Sequence, residues 1–87
     1  MGARYKLQWK KSAAKEIQGL ETAYRGRVIA AVEALTAQPL PDGVRKLQGT
    51  SHTFRIRVGD YRVVYSLENH ERILTVLRVR HRRDVYS

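Results

Sequence analysis

The chain has 87 residues, 43% hydrophobic and 29% charged, which fits one folded domain over residues 1–87 and argues against disorder. It has no cysteine, so disulfide scaffolds, thiolate metal sites and cysteine nucleophiles are excluded. Seventeen Lys and Arg against eight Asp and Glu give a net charge of +9, which points to a polyanionic partner: nucleic acid, an acidic protein or a membrane surface.

From Arg4 to Trp9 the residues alternate, with Tyr5, Leu7 and Trp9 on one face, the period of a half-buried strand. Ser12 is placed to cap a helix whose apolar stripe is Ala13, Ile17 and Leu20. Gly19 and Gly26 weaken the helical pattern, and a break is expected near residues 19–22. Tyr24, Val28, Ala31, Val32 and Leu35 then recur at helical spacing. Pro39 and Pro41 end this second helix, and Pro41-Asp42-Gly43 reads as a turn.

The second half reads as strands. Phe54, Ile56 and Val58 alternate with Thr53, Arg55 and Arg57, and Gly59-Asp60 makes a tight turn. Tyr61, Val63, Tyr65 and Leu67 alternate with Arg62, Val64 and Ser66. After the polar loop 68–71, Ile73, Thr75, Leu77 and Val79 alternate with Leu74, Val76, Arg78 and Arg80. The expected fold is α+β: an N-terminal strand, a two-helix hairpin, then a three-strand antiparallel meander with the helices on one sheet face. No apolar run approaches the ~20 residues that span a bilayer. The N-terminus lacks the apolar core of a signal peptide, so a cytoplasmic protein is expected.

The charge is uneven. Residues 44–87 carry ten of the basic side chains, nine of them Arg, against four acidic ones. Arg is the side chain suited to bidentate phosphate contact. Period-two geometry puts Arg55, Arg57 and Arg62 together on the sheet face away from the helices, and Arg78 and Arg80 join them if the last strand pairs in register. Clustered guanidinium groups repel one another, and such a local conflict marks a function more readily than a solvated face.

Lys46-Leu47-Gln48-Gly49, Phe54-Arg55-Ile56-Arg57, Asp60-Tyr61-Arg62-Val63-Val64-Tyr65 and Val79-Arg80-His81-Arg82-Arg83-Asp84-Val85-Tyr86, in this order and at this length, resemble the RelE/ParE toxin superfamily of toxin–antitoxin systems. The resemblance covers the whole chain and is nearest to the RelE branch, whose members cut messenger RNA in the ribosomal A site. It implies a RelE-like fold, a cognate antitoxin, mRNA and 16S rRNA as partners, no cofactor and no membrane. It also implies residue roles. Arg55 and Arg57 fall at paired basic positions, Arg62 at the basic residue that holds the scissile phosphate, and His81 and Arg82 in the basic cluster after the last strand. Tyr86 falls at the C-terminal tyrosine that stacks on a base. The best-known members carry lysines on the first meander strand, one of them proposed as general base. Arg is effectively never deprotonated, which leaves the base unassigned here.

RNA carries its own nucleophile, the 2′-hydroxyl, so no metal is required, and the three His and eight carboxylates form no ligand cluster in the sequence. Guanidinium groups neutralise a phosphorane directly. His81 is the natural acid–base candidate, with a spectator at a strand end as the plainer reading. Lys46, Arg78, Arg80 and Arg83 are candidate RNA contacts, Lys46 being equally a solvated loop lysine. Tyr86 is a base-stacking platform or packs on the first helix. The expected activity is ribosome-dependent mRNA cleavage giving 2′,3′-cyclic phosphate and 5′-hydroxyl ends. The rivals are a ParE-like toxin that inhibits DNA gyrase and cuts nothing, and a non-catalytic basic RNA-binding module.

Overall fold

The structure is a computed structural model, and it describes residues 4–85. In chain order it forms strand β1 (Lys6–Trp9), helix α1 (Lys11–Gln18), helix α2 (Thr22–Ala37), and strands β2 (Arg45–Lys46), β3 (Thr53–Val58), β4 (Tyr61–Glu68) and β5 (Ile73–His81). A 3₁₀ turn, Arg82–Val85, follows β5. The strands make one five-stranded sheet in the order β1-β5-β4-β3-β2. β1 runs parallel to β5 and every other neighbouring pair is antiparallel, so the sheet is mixed. The expected α+β order therefore holds with two additions. β2 extends the meander to four strands, and the N-terminal strand joins through the last strand of the chain.

Local chemistry accounts for most of these elements. Leu7 and Trp9 are half-buried while Lys6 and Gln8 are exposed, as alternation requires. β1 gives way to helix directly: Lys10 is extended, its N–H still donates to the Val76 carbonyl at 2.9 Å, and it occupies the N-cap position. Ser12 thus lies inside the first turn of α1, and the cap expected of it is not made. Ala13 and Ile17 are buried one turn apart. The break after α1 falls at residues 19–21, where the Gly19 N–H closes the helix on the Lys15 and Glu16 carbonyls. Gly26 does not interrupt α2, because the buried stripe of Val28, Val32 and Leu35 holds that helix to the sheet.

One core lies between the helices and one sheet face. Val28, Val32 and Leu35 of α2 and Ala13 and Ile17 of α1 pack with Ile56, Val63, Tyr65, Leu67, Leu74, Val76 and Val79. Tyr65 is fully buried, and its hydroxyl donates to the Pro39 carbonyl at 2.6 Å. That bond satisfies the phenol and ties the end of α2 to the middle strand of the sheet. Among the described residues no helix is long and apolar enough to cross a membrane.

Candidate nucleic-acid interface

Directly opposed residues in neighbouring strands share a sheet face. The register pairs Arg57 with Arg62 and Arg62 with Arg80, which makes one row of three arginines across β3, β4 and β5. The next row runs Arg45, Arg55, Val64, Arg78 across four strands. Six guanidinium groups thus occupy two adjacent rows on the face that turns away from the core. Gly43, Arg45, Arg55, Ile56, Arg57 and Arg62 line a polar hollow of about 450 Å³ at this end of the sheet.

Two backbone devices build the rows. The first is a β-bulge in β5. Val64 pairs with Arg78 but Tyr65 pairs with Val76, leaving Leu77 as an extra residue. The bulge switches the phase of the strand. Leu74 and Val76 face the core before it, and Val79 faces the core after it. Unbroken alternation from Leu74 would instead drive Arg78 and Arg80 into the core. The second device is the β3–β4 hairpin. Gly59 has φ +60°, and Asp60 does not have positive φ. Glycine first in a two-residue loop is the II′ pattern, which twists with the strands and keeps Arg57 opposite Arg62 one pair from the turn.

The basic tail comes to the same end of the sheet. The Arg82 N–H donates to the Asp60 carbonyl at 2.7 Å, which docks the 3₁₀ turn on the hairpin beside the Arg57–Arg62 pair. Arg82 and Arg83 are exposed there, and with Asp60 and His81 they line a second, smaller hollow. His81 pairs with Tyr61, so it belongs to the helix-side face rather than to the arginine rows. Its ring meets the Tyr61 ring edge-on at 5.1 Å, and its Nδ1 accepts the Arg83 N–H at 3.1 Å. Nε2 is the atom left for proton transfer.

The structure therefore gathers Arg55, Arg57, Arg62, Arg78 and Arg80 on one face and sets Arg82 and Arg83 at the same end of the sheet, while His81, at that end too, lies on the opposite, helix-side face. Lys46 pairs with Phe54, which assigns it to the opposite face phase, at the exposed edge of the sheet. Tyr86 lies outside the described residues. Sequence reasoning did not single out Arg45. It precedes Lys46 in a strand of only two residues, too short to show alternation, although it stands next to Lys46 in an Arg-rich half of the chain. His52 and His70 are exposed on the surface. Among the described residues no group of His, Asp and Glu is placed to hold a metal ion.

Residues 7–86 match the family described as the ParE toxin of the type II toxin–antitoxin system parDE. A Methanocaldococcus jannaschii protein that carries the name RelE1 is 22% identical over 87 residues, covering 97% of each chain. The fold is shared with a chain of the archaeal RelE–RelB complex from Pyrococcus horikoshii OT3, at 31% identity and TM-score 0.81, over 91% of this chain and 96% of that one. It is also shared with a chain of the RelBE2 toxin–antitoxin complex from Mycobacterium tuberculosis, at 24% identity and TM-score 0.80, over 90% and 98% of the two chains. With the family match spanning residues 7–86 and the fold shared over nearly the whole of both chains, this chain belongs to the RelE/ParE superfamily of toxins from type II toxin–antitoxin systems.

Proposed function

We propose that this toxin is a ribosome-dependent endonuclease that cuts mRNA in the A site. The observation that carries the reading is the pair of arginine rows, six guanidinium groups on one sheet face against which no described helix packs. Opposed like charges destabilise a sheet, and a polyanion laid across them removes that repulsion. A toxin that only docked on an apolar protein surface would not need them. The rows also suit the chemistry. Attack of the RNA 2′-oxygen on the adjacent phosphorus transfers the hydroxyl proton to a base, forms a cyclic phosphorane and expels the 5′-oxygen, which takes up a proton. The products are a 2′,3′-cyclic phosphate and a 5′-hydroxyl. Arg62, flanked by Arg57 and Arg80, is the central donor for the phosphorane oxygens, and Arg55 and Arg45 extend the anion site along the backbone.

The arginines themselves cannot accept the proton. His81 is the imidazole of the described cluster, and its Nε2 is the proposed proton-transfer atom. Arg78, Arg82 and Arg83 contact RNA of the message or the 16S rRNA, Lys46 reaches phosphate from the sheet edge, and Tyr86 stacks on a base. A cognate antitoxin neutralises the toxin, as supported by relatives solved as RelE–RelB complexes.

Induced expression followed by mapping of mRNA ends tests the proposal. Cuts in codon register with 5′-hydroxyl ends are expected. Intact mRNA accompanied by DNA damage would replace it with gyrase inhibition.

A further inference from the structure

β1 covers β5 only as far as the Trp9–Val76 pair, so among the described residues the outer edge of β5 from Leu77 onward has no partner strand. The N–H of Val79 points to that open edge, where an unpaired strand donor invites water or a foreign strand. Glu16 of α1 fills the position. One carboxylate oxygen, Oε1, accepts the Val79 N–H at 3.0 Å. The other, Oε2, lies 2.7 Å from Nε of Arg80, the outermost member of the central arginine row. Glu16 itself is held by its neighbours, because Ala13 and Ile17 fix α1 in the core on either side of it. Its side chain is 24% exposed and that of Arg80 is 47% exposed.

We infer that Glu16 is a positioning residue for Arg80, a role that rests on the arginine rows being the RNA site. A guanidinium carries five N–H donors in a planar fork, so a carboxylate on Nε leaves the Nη side for a phosphate. Glu16 anchors the near side of the fork to the backbone of Val79, the residue before Arg80. The Arg80 side chain would otherwise sample many rotamers beside two like charges, Arg62 and Arg57. Held by Glu16, it spends that freedom before RNA arrives. The same carboxylate locks the strand just past the bulge, where the phase of Arg78 and Arg80 is set.

The test is a double-mutant cycle between Glu16→Gln and Arg80→Ala, read in single-turnover cleavage of mRNA on programmed ribosomes and in RNA affinity. Gln retains an oxygen for the Val79 N–H and loses the charge that holds Arg80. Each single change is expected to slow cleavage about tenfold, and the double variant to be no slower than Arg80→Ala alone. In the free toxin, the Arg80 Nε–H NMR signal is expected to be protected from exchange and to lose that protection in Glu16→Gln. Losses that multiply in the double variant, or an Arg80 signal unchanged by Glu16→Gln, would overturn the inference. If Glu16→Gln does not fold, Arg80→Lys supplies the other arm. It keeps the charge without the fork, and parental activity in that variant would equally overturn positioning. If the parent cleaves nothing, the nuclease reading fails instead, and the NMR signal with the affinity cycle still decides the role of Glu16.

Discussion

Arg62 is the residue on which the proposed chemistry turns. It lies near the start of β4, one pair from the hairpin turn, and is half-buried, with core residues Val63 and Tyr65 following it and arginines opposite it on both sides. Arg62→Ala is expected to fold, since it leaves the core intact. Cleavage should fall about 100-fold or more, the scale for losing one oxyanion-stabilising donor. Equal translation arrest by variant and parent at matched levels would remove the phosphate role. Tyr65 gives a separate prediction about stability. Burial pushes its phenol from 10.0 up to about 12. The folded state therefore holds its proton where the unfolded state has lost it. The phenol's contribution is complete below pH 10 and declines between pH 10 and 12, at about 1.4 kcal/mol per pH unit. Tyr65→Phe should lose about 1 kcal/mol at neutral pH by orphaning the Pro39 carbonyl. It should also flatten the alkaline limb of a denaturation series, and a limb as steep as the parent's would assign it to other groups.

At the scale of elements, the β3–β4–β5 meander carries a conflict between stability and function. Arg57 and Arg62 are directly opposed, and like charges there cost about 0.2–1 kcal/mol. Arg57→Gln should therefore raise the melting temperature slightly while weakening RNA binding. A melting temperature that falls would mean that the row is not self-repelling. Helix α2 has the opposite character, since Gly26 lies on its exposed side where an added Cβ would meet nothing within 4 Å. Gly26→Ala should stabilise the protein by about 0.5–1 kcal/mol without touching activity, measurable by chemical denaturation. The helices and three long strands were legible in the sequence because each shows its own period over six residues or more. β2 was not, because two residues have no period. The phase of Arg78 and Arg80 was not either. Alternation counts residues, and the bulge at Leu77 inserts one that no count reveals.

For the molecule as a whole, the +9 charge should make binding to RNA or ribosomes steeply salt-dependent through counterion release. A salt series should give a strongly negative log–log slope, shallower by about one for each phosphate-contacting arginine replaced. A slope unchanged on replacing Arg55 or Arg62 would move the contacts off the arginine face. The amino-acid sequence alone determined the order of the two helices and the longer strands, the core stripe of each helix and the side of β3 and β4 on which arginines stand. Those depend on local periodicity and on the physics of burying one face. Tertiary structure alone decided the rest. It brought β1 beside β5 in parallel, added Arg45 to the rows and turned His81 to the helix side of the sheet. It also set the Glu16 carboxylate 2.7 Å from Arg80. These features depend on pairing between segments up to about 70 residues apart, on a one-residue bulge and on an edge left open by a short strand. None of the three leaves a mark in the spacing of neighbouring side chains.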